Sequence, residues 1–206
     1  MSARDEILES IRARQLTRTP KPAVYRAPAS EGDLIEAFAK KLSAQYADVR
    51  MLDGMADVPA AIADILRGRN MAPMVHIAPD SELTLDLPNV EILREPPGQF
   101  DAAVTVAPFA IAETGTLAYP SAKGAPASWH FRPVLEIAIV RAASVVAGLE
   151  DVLAALPDGL PSTLNLVSGP SRTGDIEQTM ELGAHGPKAL AVLVIPTASV
   201  VDTFGP

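Results

Sequence analysis

The 206-residue chain contains no cysteine. Without thiols it forms neither disulfides nor cysteine-ligated zinc or iron–sulfur sites, and thiolate catalysis is excluded. Any electron carrier it works with must belong to a partner or be soluble. Apolar runs of membrane-spanning length, roughly 20 residues, are missing too; the run at 189–195 has the length of a strand. Asp5, Glu6 and Glu9 stand where a secretory signal would be apolar, so the expected location is the cytoplasm. Basic charge is in short supply: 17 Lys and Arg face 25 Asp and Glu, a net charge of −8. The molecule as a whole therefore offers no long-range attraction to nucleic-acid phosphates or anionic lipid.

What is present is the balance of a folded globular protein, with 48% hydrophobic and 20% charged residues. Ser2 and Asp5 resemble a helix-starting pair, and Ile7, Leu8 and Ile11 then share one face. The stretch from Gln15 to Ala29, with Pro20, Pro22 and Pro28, reads as an extended linker. Residues 1–30 are thus an N-terminal helix and linker, and 31–206 the domain proper. Ser30 and Asp33 open a second helix through Ile35, Phe38, Leu42 and Tyr46. A third starts at Asp57 and Pro59, turns Ile62, Ile65 and Leu66 inward, and ends at Gly68. Strands are expected at Pro73–Ala78, Val90–Leu93, Ala102–Val106, Thr116–Tyr119 and Val134–Val140. A helix follows through Leu149, Val152, Leu153 and Leu156. The chain then closes with strand Leu164–Val167, helix Asp175–Leu182 and strand Leu190–Ile195, read as a βαβ unit. This alternation predicts an α/β fold, a largely parallel sheet with helices on both faces.

Two polar segments differ from routine packing. In Ile111-Ala112-Glu113-Thr114-Gly115-Thr116, short polar residues around a glycine offer N–H groups and hydroxyls to an anionic or polyol ligand. The same residues also suit a tight turn in which Gly115 supplies a positive φ and the threonines bond the local backbone. The second segment, Ser168 to Glu177, joins a predicted strand to a predicted helix, which would place it at the carboxyl end of the sheet, where open α/β folds bind ligands. Its other reading is a helix start, with Ser171 or Thr173 as cap and Asp175 and Glu177 complementing the dipole. No Walker loop or dinucleotide fingerprint occurs. His185 lies between Gly183 and Gly186, before Pro187, on a loop where it can carry a proton, bind a carboxylate or serve only structure. His76 and His130 have no metal-type spacing with it, so no metal site is expected. The loop from Ala118 to Pro133 holds Lys123, Trp129, His130 and Arg132, a combination fit for a lid over an acidic ligand or for an ordinary exposed connection.

Taken in order, Ala-Glu-Thr-Gly-Thr, then Ser-Gly-Pro-Ser-x-Thr-x-Asp-Ile-Glu, then Gly-x-His-Gly-Pro before a last apolar strand resembles the lactate-utilisation (LUD) domain family, most closely its small protein C branch, over Glu31 to Ile195. The resemblance implies a sugar-phosphate isomerase and CoA-transferase-like α/β fold. It also implies an accessory subunit, with no cofactor of its own, that works with two iron–sulfur lactate-utilisation proteins to oxidise L-lactate to pyruvate. By position, Glu113, Thr114, Gly115 and Thr116 match the first motif, Ser168, Gly169, Ser171, Thr173, Asp175 and Glu177 the second, and His185 and Gly186 the third. Glu113 and His185 are the candidate catalytic groups and the others the candidate contacts to a small anionic ligand. Relatives often carry a histidine near the position of Glu136, a departure that bears on this chain's chemistry. An independent transferase or hydrolase acting on a CoA, acyl or sugar-phosphate substrate through Glu113, or a non-catalytic scaffold, are the competing readings.

Overall fold

The computed structural model describes residues 3–13, 32–81, 83–124, 126–156, 161–173, 181–182 and 186–196. Helix α1, Ala3–Ala13, keeps Ile7, Leu8 and Ile11 exposed. Ser2, the linker from Gln15 to Ala29 and the proposed cap Ser30 lie outside the described residues. Helix α2, Leu34–Ala44, starts instead at Asp33, whose carboxylate accepts the Ile35 N–H at 2.8 Å. Phe38 and Leu42, four residues apart, are its buried face.

Strand β1, Asp48–Met51, leads into helix α3, Val58–Gly68, which has its proline in the first turn as expected. Gly68 stays helical, and it is Asn70, with φ 52°, that enters the left-handed region just past the helix end. There follow β2, Met74–His76; β3, Glu91–Leu93; β4, Ala102–Ala107; β5, Phe109–Ile111; and β6, Thr116–Pro120. Next come α4, Ser128–Phe131; β7, Leu135–Arg141; β8, Val145–Val146; α5, Leu149–Ala155; and β9, Leu164–Val167. The last elements are β10, Arg172–Thr173; β11, Glu181–Leu182; and β12, Ala189–Ile195.

The main sheet has six strands in the order β1-β12-β7-β4-β2-β3, every neighbouring pair parallel. The expected α/β architecture is therefore present. Both faces are buried, which is why the central strands read as continuous apolar runs rather than alternating ones. Ile137, Ile139, Ala191, Leu193 and Ile195 face α3. Ala138, Val140, Leu190, Val192 and Val194 face α2 and a second sheet.

That second sheet, in the order β8-β5-β6-β9, corrects the expected ending. Strand β9 pairs antiparallel with β6, not parallel with β12, so the last three segments are no βαβ unit. A short apolar run specifies a strand without specifying its sheet or direction. The expected helix from Asp175 to Leu182 is also corrected at its described end. Glu181 and Leu182 are extended and pair antiparallel with Thr173 and Arg172, while 174–180 lie outside the described residues. Pairing with a neighbouring strand has here overridden local helix propensity. Among the described residues no helix is long and apolar enough to cross a membrane.

Candidate functional site

The polar turns gather on the C-terminal half of α2. Gly115 has φ 67°, and a Cβ there would lie 2.6 Å from the Leu42 nitrogen and 2.8 Å from the Lys41 carbonyl carbon. Both conformation and space demand glycine. The Lys41 ammonium donates to the Glu113 carbonyl, clamping the turn to the helix. Gly169, with φ 140°, meets the next part of the same helix end, where a Cβ would lie 2.9 Å from Gln45. Beside it the Arg172 guanidinium rests 3.6 Å above the Tyr46 ring, a cation–π contact. A row of hydroxyls joins the two turns: Thr114 to Thr116 at 2.7 Å, and Thr116 to Ser168 at 2.7 Å. It runs from buried Thr116 to exposed Thr114 and Ser168. The third motif reaches the second, since the Ser171 N–H donates to the Pro187 carbonyl at 2.8 Å and Gly186 packs against the Ser171 side chain.

Of the residues singled out in the sequence, Thr114, Gly115, Thr116, Ser168 and Gly169 are thus brought together, and Ser171 meets Gly186. Glu113 is half-buried at the head of the first turn. Thr173 takes part in the β10 pairing through its backbone, and the residues it was expected to cap lie outside the described ones. Asp175, Glu177 and His185 lie outside the described residues. The second motif follows a strand of the smaller sheet and sits against the end of α2, close to where β1 and β12 begin. This places it toward the amino edge of the parallel strands, not the carboxyl edge expected from a strand-to-helix turn.

A buried polar cluster went unrecognised in the sequence. The Glu136 carboxylate, fully buried on β7, receives three donors on Oε1: Thr105 from β4 at 2.9 Å, Tyr119 from β6 at 3.0 Å and His130 Nδ1 from α4 at 2.8 Å. The Tyr119 and His130 rings lie 3.8 Å apart. Burial first, and then the Glu136 charge, push the Tyr119 hydroxyl well above its ordinary pKa, so it remains a proton donor. His130 and Trp129 are both buried, Trp129 against Ala78 and Ala103, so this part of the 118–133 loop is neither an exposed connection nor a lid. A carboxylate inside a strand whose neighbours are apolar on both faces was the legible signal, because such a charge must find donors. His76 stands apart, 2.8 Å from the Glu95 carbonyl and 3.2 Å from an Asp101 oxygen. Among the described residues no group of three or more His, Asp or Glu is placed to hold a metal ion.

A family model for the LUD domain matches residues 35–195. The chain belongs to the LUD-domain family. Within it, a lactate utilization protein C of Deinococcus radiodurans is 31% identical over 189 residues, covering 84% of this chain and 85% of that protein. A lactate utilization protein C of Halalkalibacterium halodurans is 34% identical over 111 residues, 51% of this chain and 48% of the relative. In matches of this second kind the chain spans about half the length of the curated relative. The crystal structure of a DUF162 family protein from Deinococcus radiodurans superposes with a TM-score of 0.57 at 24% identity, over 82% of this chain and all but 1% of that one, and shares the fold.

In this LUD domain the motif glycines act first through space. Replacing Gly115 with Ala should cost about 2–5 kcal/mol, the sum of left-handed strain and a backbone collision. Gly54→Ala, in extended backbone with nothing within 4 Å of the new methyl group, should stay within about 0.5 kcal/mol. Equal costs in urea unfolding would contradict the packing argument. The raised Tyr119 pKa gives a second prediction. The folded state holds this proton more tightly than the unfolded chain does. Its contribution is therefore complete below the ordinary tyrosine value of about 10 and is lost as pH rises from there through the native value. Tyr119→Phe should remove up to about 1.4 kcal/mol per pH unit of alkaline destabilisation. Parallel stability curves above pH 10 for the two proteins would refute it.

Proposed function

We propose that this LUD domain is the cluster-free accessory component of a lactate-utilisation system. It works beside two iron–sulfur proteins as L-lactate is oxidised to pyruvate, and it binds a small anionic ligand where its polar turns meet. The two electrons leaving lactate pass to the partners, since a chain without cysteine offers no thiolates for a cluster. Support comes from the relatives that bear the lactate utilization protein C name, one of them matched over most of its length. The observation that carries the site is the stacking of two turns distant in sequence on one helix end, with glycines where no side chain fits and a hydroxyl row between them. Rotatable hydroxyls and the nearby Lys41 ammonium can donate to a carboxylate.

In a strain with no other lactate-oxidising enzyme, deleting the gene should abolish growth on L-lactate while leaving growth on pyruvate intact. Tagged protein from complemented cells should carry iron-containing partners in its eluate. Normal growth of the deletion strain on L-lactate would sink this reading.

A further inference from the structure

A cavity of about 440 Å³, lined by none of the polar-turn residues, opens at the carboxyl ends of β4 and β7. Val106 and Ile139 contribute its apolar lining, and Asp80, Ser81, Arg141 and Ser144 its polar lining. Strand order explains the position. From β2 the chain steps outward to β3, whereas from β4 it steps the other way to β7 and β12. Strands β2 and β4 pair only at His76 and Ala103. Connections leaving a seam where the winding reverses diverge to opposite faces and leave a crevice, the usual ligand position in open α/β sheets. One wall is fixed by close approach: a Cβ on Gly124 would lie 2.6 Å from the Asp80 carbonyl oxygen, so the loop after β6 is pressed against the Asp80–Ser81 turn.

The lining sets the chemistry. Arg141 presents a planar guanidinium whose five N–H groups match a carboxylate and leave donors over for a protein partner. Asp80 calls for an N–H or O–H donor, and the serine hydroxyls serve either role. Val106 and Ile139 favour hydrocarbon. The volume falls within the roughly 300–1,000 Å³ of small-molecule pockets, and a three-carbon acid would leave most of it to solvent. We propose that this cavity binds a small carboxylic acid that carries an amino or hydroxyl group beside the carboxylate and an apolar tail of several carbons. The site shares no residue with the polar turns, so it stands whether or not the lactate reading does.

Calorimetric titration of the full chain with L-leucine, L-2-hydroxy-4-methylpentanoate, L-alanine and L-lactate tests this. At least one six-carbon acid should bind ten times more tightly than its three-carbon counterpart, and which of the two prevails identifies the donor that faces Asp80. Arg141→Gln, at an exposed position, and Ser144→Phe, at the cavity lining, should each weaken that binding at least tenfold while the protein still unfolds in one cooperative transition. Absence of heat with both six-carbon acids, affinity independent of the tail, or binding untouched by both variants would overturn the proposal.

Discussion

A single carboxylate oxygen holds the centre of this molecule together. Glu136 Oε1 gathers a hydroxyl from the main sheet, a phenol from the second sheet and an imidazole from α4, all within 3.0 Å. Removing a carboxylate from water costs several kcal/mol, and here three hydrogen bonds on Oε1 offset part of that cost while the buried Oε2 has no partner among the described residues. The arrangement is directional where the surrounding apolar packing is not. It sets where β6 and α4 lie over β4 and β7, and hence where the turn before β6 meets α2. Hydrophobic contact among Ala138, Val140 and Leu117 would tolerate a shift that these hydrogen bonds do not.

From that fixed point the two edges of the parallel sheet take different characters. Toward the amino edge, the end of α2 collects the turns at Gly115 and Gly169, and the chain before β12 joins them through Ser171 and Pro187. Motifs far apart in sequence thereby become one polar surface of a LUD domain. At the carboxyl edge, the reversal of winding between β2 and β4 leaves a cavity with one guanidinium, one carboxylate and an apolar lining.

Much of the main sheet was legible because strands buried on both faces are nearly continuous in Val, Ile, Leu and Ala, as in 135–141 and 189–195. Helices α2 and α3 were legible through the spacing of Phe38 with Leu42 and of Ile62 with Ile65 and Leu66. The second sheet was not. Strands β5 and β8 are too short to show a period, and the apolar run of β9 carries no mark of its antiparallel partner. The motif residues could be named, but their gathering on α2 could not, because it depends on close approach to Lys41, Leu42 and Gln45. His130 looked like a loop residue since its buried partners, Glu136 and Tyr119, come from β7 and β6. Glu136 drew notice only as a departure from relatives, although a lone acid in a doubly buried strand already implied a buried cluster.

The placement of β6 and α4 depends on Glu136 as a charged acceptor. Urea unfolding of Tyr119→Phe, measured with Glu136 present and again with Gln in its place, tests this most directly. Loss of the phenol should cost at least about 1 kcal/mol more beside the carboxylate than beside the amide, because hydrogen bonds to ionised groups are the stronger ones. The same cost in both backgrounds would contradict a carboxylate-centred core.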